Sequence, residues 1–179
     1  MSEAGTIVTT RGVTGPVDLH CWVLLGQQGS RKGSTIRALT GVYRSKDIEV
    51  MLVNEQSLRL WCQVQSINEP EKEENPSPDE WVKSCIFHSP HYPMPSLIQG
   101  RHNILIALRL DRGRAGREPE DYLNALCRAG ATIESIVTLG ESTRAWTPLY
   151  GAPYAHIIDT KSVPTNSVAA QVRQFWGWR

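Results

Sequence analysis

Residues 26–35 read GQQGSRKGST, directly after an apolar run, DLHCWVLL, and ahead of IRALTGVYRS, which has helical spacing. A strand, a glycine-rich loop with a lysine, then a helix is the order of a phosphate loop, G-x-x-x-x-G-K-[ST]. In that motif the glycines let backbone N–H groups wrap phosphate, the lysine neutralises it, and the hydroxyl holds Mg²⁺. The pattern is not met. Counted from Gly26 the second glycine falls on Arg31, counted from Gly29 it falls on Ser34, and Lys32 precedes Gly33 instead of following it. The sequence therefore predicts a solvent-facing connection, with Arg31 and Lys32 either simply hydrated or touching an anionic partner without enclosing it. Ser34 or Thr35 is placed to cap the following helix.

Other reactive groups form no catalytic constellation. His88 and His91 make H-x-x-H across a proline, which does not set two rings on one helical face as H-E-x-x-H does. The four cysteines, Cys21, Cys62, Cys85 and Cys127, form no C-x-x-C pair. Cys21 and Cys62 sit in strand-like runs and read as buried thiols. No G-x-S-x-G occurs, and the paired carboxylates fall mainly in a proline-rich stretch that cannot hold a fixed geometry. The sequence thus predicts no catalytic residue, no metal centre, no cofactor and no small-molecule substrate.

Binding chemistry is better represented. Net charge is only +1, but arginine supplies 14 of the 19 cationic side chains, and arginine suits bidentate contacts to phosphate and carboxylate. RGRAGR, with Arg112, Arg114 and Arg117, lies between a strand and a helix, as the loop with Arg31 and Lys32 does. If the two strands are neighbours, both loops leave one edge and make one basic patch, suited to RNA backbone, a nucleoprotein surface or anionic lipid heads. The chain ends in QFWGWR. Phe175, Trp176 and Trp178 suit a membrane interface, a protein interface, or the closing of the core. Tyr92, Pro93 and Leu97 fit Y-P-x-x-x-L, similar to viral late-budding motifs read in an aromatic groove.

The elements that must carry these groups follow from periodicity. Hydrophobic residues make up 40% of 179, enough for one domain with a core. No apolar run reaches the roughly 18 to 20 residues of a membrane span, and the N-terminus lacks a signal pattern; both point to the cytosol. Residues 1–15 read as a flexible segment, 16–165 as one domain, 68–80 as an exposed acidic linker loop, and 166–179 as an aromatic tail. Strands are expected near 17–25, 48–53, 57–66 and 102–110 and over ATIESIVTL, with weaker extended pieces in RAWTPLY and YAHIIDT. Helices are expected over 35–44 and over EDYLNALCRAG. Pro119 opens the second of these and Gly130 ends it. WVKSCIFHS reads as either state. Leu58, Leu60, Cys62 and Val64 alternate with polar neighbours, the mark of a half-buried antiparallel strand. The expected fold is α+β, a mainly antiparallel sheet with two short helices.

This layout, DLHCWVLL, GQQGSRKGS, TIRALTGVYRS, then HNILIALRL, EDYLNALCRAG, ATIESIV and STRAW, resembles the matrix proteins of rhabdoviruses, especially the short ones of plant-infecting members. The lysine-rich N-terminal tail and P-P-x-Y motif of the animal-virus members are absent. The resemblance implies a non-enzymatic structural protein of the virion, lying beneath the envelope and present in the host cytoplasm. It implies homo-oligomers that condense the nucleocapsid and contact viral nucleoprotein or RNA and an anionic membrane surface. Arg31, Lys32, Arg112, Arg114 and Arg117 would make the anionic contacts, and Phe175, Trp176 and Trp178 a hydrophobic interface. The alternative is an RNA-binding viral accessory protein such as a silencing suppressor.

Overall fold

The computed structural model describes residues 19–68, 77–86, 102–111, 117–142 and 151–179. Elements follow in the order β1 (Leu19–Gly26), α1 (Lys32–Thr40), β2 (Lys46–Met51), β3 (Ser57–Cys62), α2 (Pro78–Ile86), β4 (His102–Arg109), α3 (Pro119–Arg128), β5 (Thr132–Leu139), β6 (Tyr154–Ile157) and α4 (Thr165–Trp176). They build one six-stranded sheet in the order β2-β3-β4-β1-β5-β6. β3, β4, β1, β5 and β6 run parallel, and only β2 is antiparallel to its neighbour.

The fold is therefore α/β, and the expectation of a mainly antiparallel α+β sheet is corrected. Two features explain the difference. β1 is buried along most of its length and β4 carries the near-continuous apolar run NILIAL, as strands covered on both faces do; the alternation of β3 belongs to a strand near the edge. Two further helices form: α2, which begins in the last residues of the expected linker and runs into WVKSCIFHS, the stretch that reads as either strand or helix, and α4, where the sequence suggested a tail; strands and helices thus alternate.

The helices cover both faces. α1 and α4 pack on one, where Ile36, Leu39, Val168 and Val172 meet Leu24, Leu105, Val137 and Leu139. α2 and α3 pack on the other, where Trp81, Val82, Tyr122, Leu123 and Leu126 meet Cys21, Val23, Leu25, Ile104 and Ile106. Successive β1 and β4 residues thus feed opposite layers, the period-two consequence of a pleated strand.

Local chemistry fixes the helix ends. Ser77 and Glu80 close a capping box on α2: the Ser77 N–H donates to Glu80 at 3.0 Å, and the Glu80 N–H donates to the Ser77 hydroxyl at 3.3 Å. α3 has its own box through Glu118 and Asp121, with Pro119 in its first turn. α1 begins at Lys32, ahead of the expected start at residue 35, so Ser34 and Thr35 lie in its first turn. α4 is tied to α1 by Arg173, whose guanidinium donates to the carbonyls of Ala38 and Leu39 at 3.0 and 2.8 Å. The C-terminal residues run beside β2, with the Arg179 N–H donating to the Met51 carbonyl at 2.7 Å.

Candidate functional site

β1 and β4 are parallel neighbours, but the chain leaves them toward opposite faces: from β1 into α1 on one, from β4 into α3 on the other. Between two such strands a crevice opens at the carboxyl edge, the place where open α/β sheets bind ligands. The residues gathered there come from the loop after β1 and from the end of β4.

The loop is tightly drawn. Lys32 is only 7% exposed. Its ammonium donates to the carbonyls of Gly26 and Gln27 at 2.7 and 2.9 Å and reaches the Ser30 hydroxyl at 3.5 Å. A Cβ on Gly26 would stand 2.2 Å from Ser30 Oγ and 3.0 Å from the Leu139 carbonyl oxygen, so any larger residue must turn the Ser30 side chain away and crowd that carbonyl. Arg31, at the N-cap of α1, has φ 64° and makes no side-chain cap bond. A left-handed backbone at a non-glycine residue costs about 1–2 kcal/mol. Its guanidinium donates across the loop to the carbonyls of Lys161 and Val163 at 3.1 and 3.2 Å.

The end of β4 is held from beneath. Residues 63–67 continue beside β4 after β3, with the Gln63 N–H donating to the Leu105 carbonyl and the Ile67 N–H to that of Ala107. Asn68 follows, 2% exposed. Its amide donates to the Arg109 carbonyl at 2.9 Å, while its oxygen accepts the Arg109 N–H at 2.7 Å. The Arg109 guanidinium is buried and donates to both carboxylate oxygens of Asp111 and, at 3.2 Å, to Gln28 in the β1 loop. This hydrogen bonding from Arg109, opposed by partial burial and aided by attraction to Lys32, holds the Asp111 carboxyl below the usual aspartate range.

These groups line a crevice of about 400 Å³, with Arg31, Lys32, Arg37 and Arg109 as its charged walls and Gln28, Ser34 and Ser66 among its polar ones. On the other side of the β1 loop lies a second cavity of about 240 Å³, walled by Ser30, Gly140, Asp159 and Thr160 among others. The Thr160 hydroxyl is buried there without a hydrogen-bond partner.

The sequence-predicted residues are distributed unevenly. Arg31 and Lys32 belong to the crevice, with Lys32 turned inward. β1 and β4 are parallel neighbours and end at the same edge of the sheet, Gly26 beside Arg109; Arg112 and Arg114 lie outside the described residues. Arg117 is half-buried just ahead of α3, on the α2 side: Glu80 is held below its usual range first by hydrogen bonds from Ser77, and more weakly by attraction to Arg117 and Lys83. Tyr92, Pro93 and Leu97 lie outside the described residues, as do His88 and His91. Trp176 and Trp178 are in the core, with ring centroids 4.8 Å apart, and Trp178 also packs on Trp22; Phe175 is 38% exposed. Cys21 and Cys62 are buried thiols, neither in a disulfide, and burial pushes the Cys62 thiol up to about 11. Among the described residues no three His, Cys, Asp or Glu side chains come together as a metal site, and no helix is long and apolar enough to cross a membrane.

Sequence reasoning missed Gln28, Arg37, Asn68, Arg109 and Asp111. One signal was available. The step from Gly26 to Lys32 is that of the first glycine to the lysine in G-x-x-x-x-G-K, and the structure places them as that motif does, at a strand end and a helix start. Only the second glycine and the hydroxyl are replaced, by Arg31 and Gly33.

Comparison with known protein families, curated proteins and solved structures returned no match.

Proposed function

We propose that the crevice between β1 and β4 binds a small phosphorylated molecule of nucleotide type, held by its phosphate groups. The observation that carries this reading is the convergence of four cationic side chains, Arg31, Lys32, Arg37 and Arg109, on one concave site where the chain leaves β1 and β4 toward opposite faces. Three of the four are arginines, whose planar forks match phosphate oxygens; Arg37 is exposed, while a ligand would draw Arg31 from the Lys161 and Val163 carbonyls and compete with Asp111 for Arg109. The crevice volume falls within the roughly 300–1,000 Å³ of small-molecule sites. The N-terminus of α1 adds a favourable partial charge for an anion. A small ligand departs from the expectation drawn from the sequence, which had no small-molecule substrate.

The test is equilibrium titration of the full chain with a fluorescent ribonucleoside triphosphate, with inorganic triphosphate and a short single-stranded RNA as competitors. Saturable binding displaced by inorganic triphosphate is expected. Arg37→Gln, at an exposed position, should weaken it about tenfold, the effect of one charge-assisted hydrogen bond. Displacement by RNA alone, with affinity falling steeply with salt, would move the reading to RNA binding. No binding at millimolar nucleotide would end it. The matrix-type assembly role implied by the resemblance is the second reading; sizing the protein across concentration and salt, with and without anionic vesicles, is its separate test.

A further inference from the structure

A phosphate loop implies a divalent cation, held by the hydroxyl that follows the lysine and by an aspartate at the end of a neighbouring strand. The residues present do not fit that role. The residue after Lys32 is Gly33, which has no side chain. The next hydroxyl, on Ser34, stands about 100° further round the helix, and that of Thr35 is fully buried. Asp111, just past the end of β4, has both oxygens engaged by Arg109. Arg109 is paired with Asp111, and the other three charged side chains on the crevice wall, Arg31, Lys32 and Arg37, are positive. A hard dication entering this site meets their repulsion and finds no carboxylate on the crevice wall to coordinate it.

We infer that this crevice holds its phosphate ligand without a divalent cation, the charges of Arg31, Lys32 and Arg37 providing the neutralisation that Mg²⁺ would otherwise give. The inference rests on the reading of the crevice as a phosphate site. Asp111 then neutralises Arg109 and does not ligate a metal. The free, more highly charged form of a nucleoside triphosphate is the species bound, and its Mg²⁺ complex is the weaker ligand.

The deciding experiment titrates a fluorescent ribonucleoside triphosphate into the full chain at matched ionic strength, once with EDTA and once with excess Mg²⁺. It is repeated with Asp111→Asn, a near-isosteric change at a partly exposed side chain. Expected is a dissociation constant in EDTA no higher than in Mg²⁺. Asp111→Asn, by releasing Arg109 from its carboxylate, should tighten binding in EDTA about threefold, the scale of a partly screened charge. Binding that appears only with Mg²⁺ overturns the inference while leaving the phosphate reading in place. So does loss of the Mg²⁺-dependent component in Asp111→Asn with an unchanged circular-dichroism spectrum. Absence of binding in both conditions overturns the inference and the phosphate reading together. The EDTA and Mg²⁺ comparison on the unaltered chain decides the matter even if the variant does not fold.

Discussion

Replacing Asn68 with alanine removes the support of the crevice and leaves its charges in place. The side chain is buried and makes two backbone hydrogen bonds, at 2.9 and 2.7 Å, to the carbonyl and N–H of Arg109. Alanine leaves both groups buried and unpaired. Each unsatisfied group costs about 1–3 kcal/mol, so a loss of about 3 kcal/mol is expected once partial relaxation is allowed for. With a urea slope of about 2 kcal/mol per M, the unfolding midpoint should fall by about 1.5 M. Asn68→Asp separates hydrogen bonding from packing. It keeps the acceptor for the Arg109 N–H but turns a carboxylate oxygen toward the Arg109 carbonyl, and should recover no more than about half of the loss. Chemical denaturation followed by tryptophan fluorescence reads both variants. A loss below about 1 kcal/mol for Asn68→Ala, or an Asn68→Asp variant as stable as the unaltered chain, would refute the idea that this amide holds the end of β4.

The remaining expectations concern the loop and its charges. Gly26→Ala places a Cβ 2.2 Å from Ser30 Oγ and 3.0 Å from the Leu139 carbonyl oxygen, so Ser30 must rotate and the loop must shift; nucleotide titration should show binding weakened by up to about tenfold, or about 1.4 kcal/mol, and unchanged binding would refute the tight fit. Gly33→Ser has room, since a Cβ there meets only the Val64 carbonyl oxygen at 3.8 Å. It restores a hydroxyl after Lys32 and should make nucleotide binding stronger in Mg²⁺ than in EDTA; calorimetry showing no cation dependence would count against the register assigned to Lys32. The Asp111 carboxyl has a folded-state pKa below its unfolded one. Its contribution to stability is therefore complete above the ordinary aspartate value of about 3.9 and is lost as pH falls below it. Thermal unfolding between pH 5 and 2 should thus show a smaller acid-induced loss in Asp111→Asn than in the unaltered chain, and equal losses would refute the assignment.

Much of the fold was written in local pattern, but unevenly. Pro119, the apolar face of α3 and Gly130 defined that helix because a capped amphipathic helix carries its own signals. α2 reads as either strand or helix, its start obscured because Ser77, Pro78 and Glu80, an S-x-x-E box with proline at its first turn, sit at the end of an acidic, proline-rich run that reads as linker. α4 was legible in the spacing of Val168, Ala169, Val172 and Trp176, but its closing aromatics drew attention to interfaces. The direction of the sheet lay in the difference between the unbroken apolar runs of β1 and β4 and the alternation of β3. The crevice was less accessible. The contact of Asn68 with Arg109 and that of Arg31 with the carbonyls before α4 join residues 41 and more than 100 positions apart, and no local periodicity encodes such a meeting.

Arginine ties join α1 and α4 at both ends: Arg31 reaches the carbonyls just ahead of α4, and Arg173 reaches those at the end of α1. Neither helix can peel from the sheet without breaking the other's ties. In amide hydrogen–deuterium exchange the pair should open as one cooperative unit, with protection factors that rise and fall together. α2 and α3 are held to each other by the Trp81–Tyr122 ring contact and by the exposed Arg128–Asp79 pair, and as the opposite layer they open on a separate timescale. A ligand entering beside Lys32 would then slow exchange through the whole of α4, far along the chain, while leaving the opposite layer at its own rate.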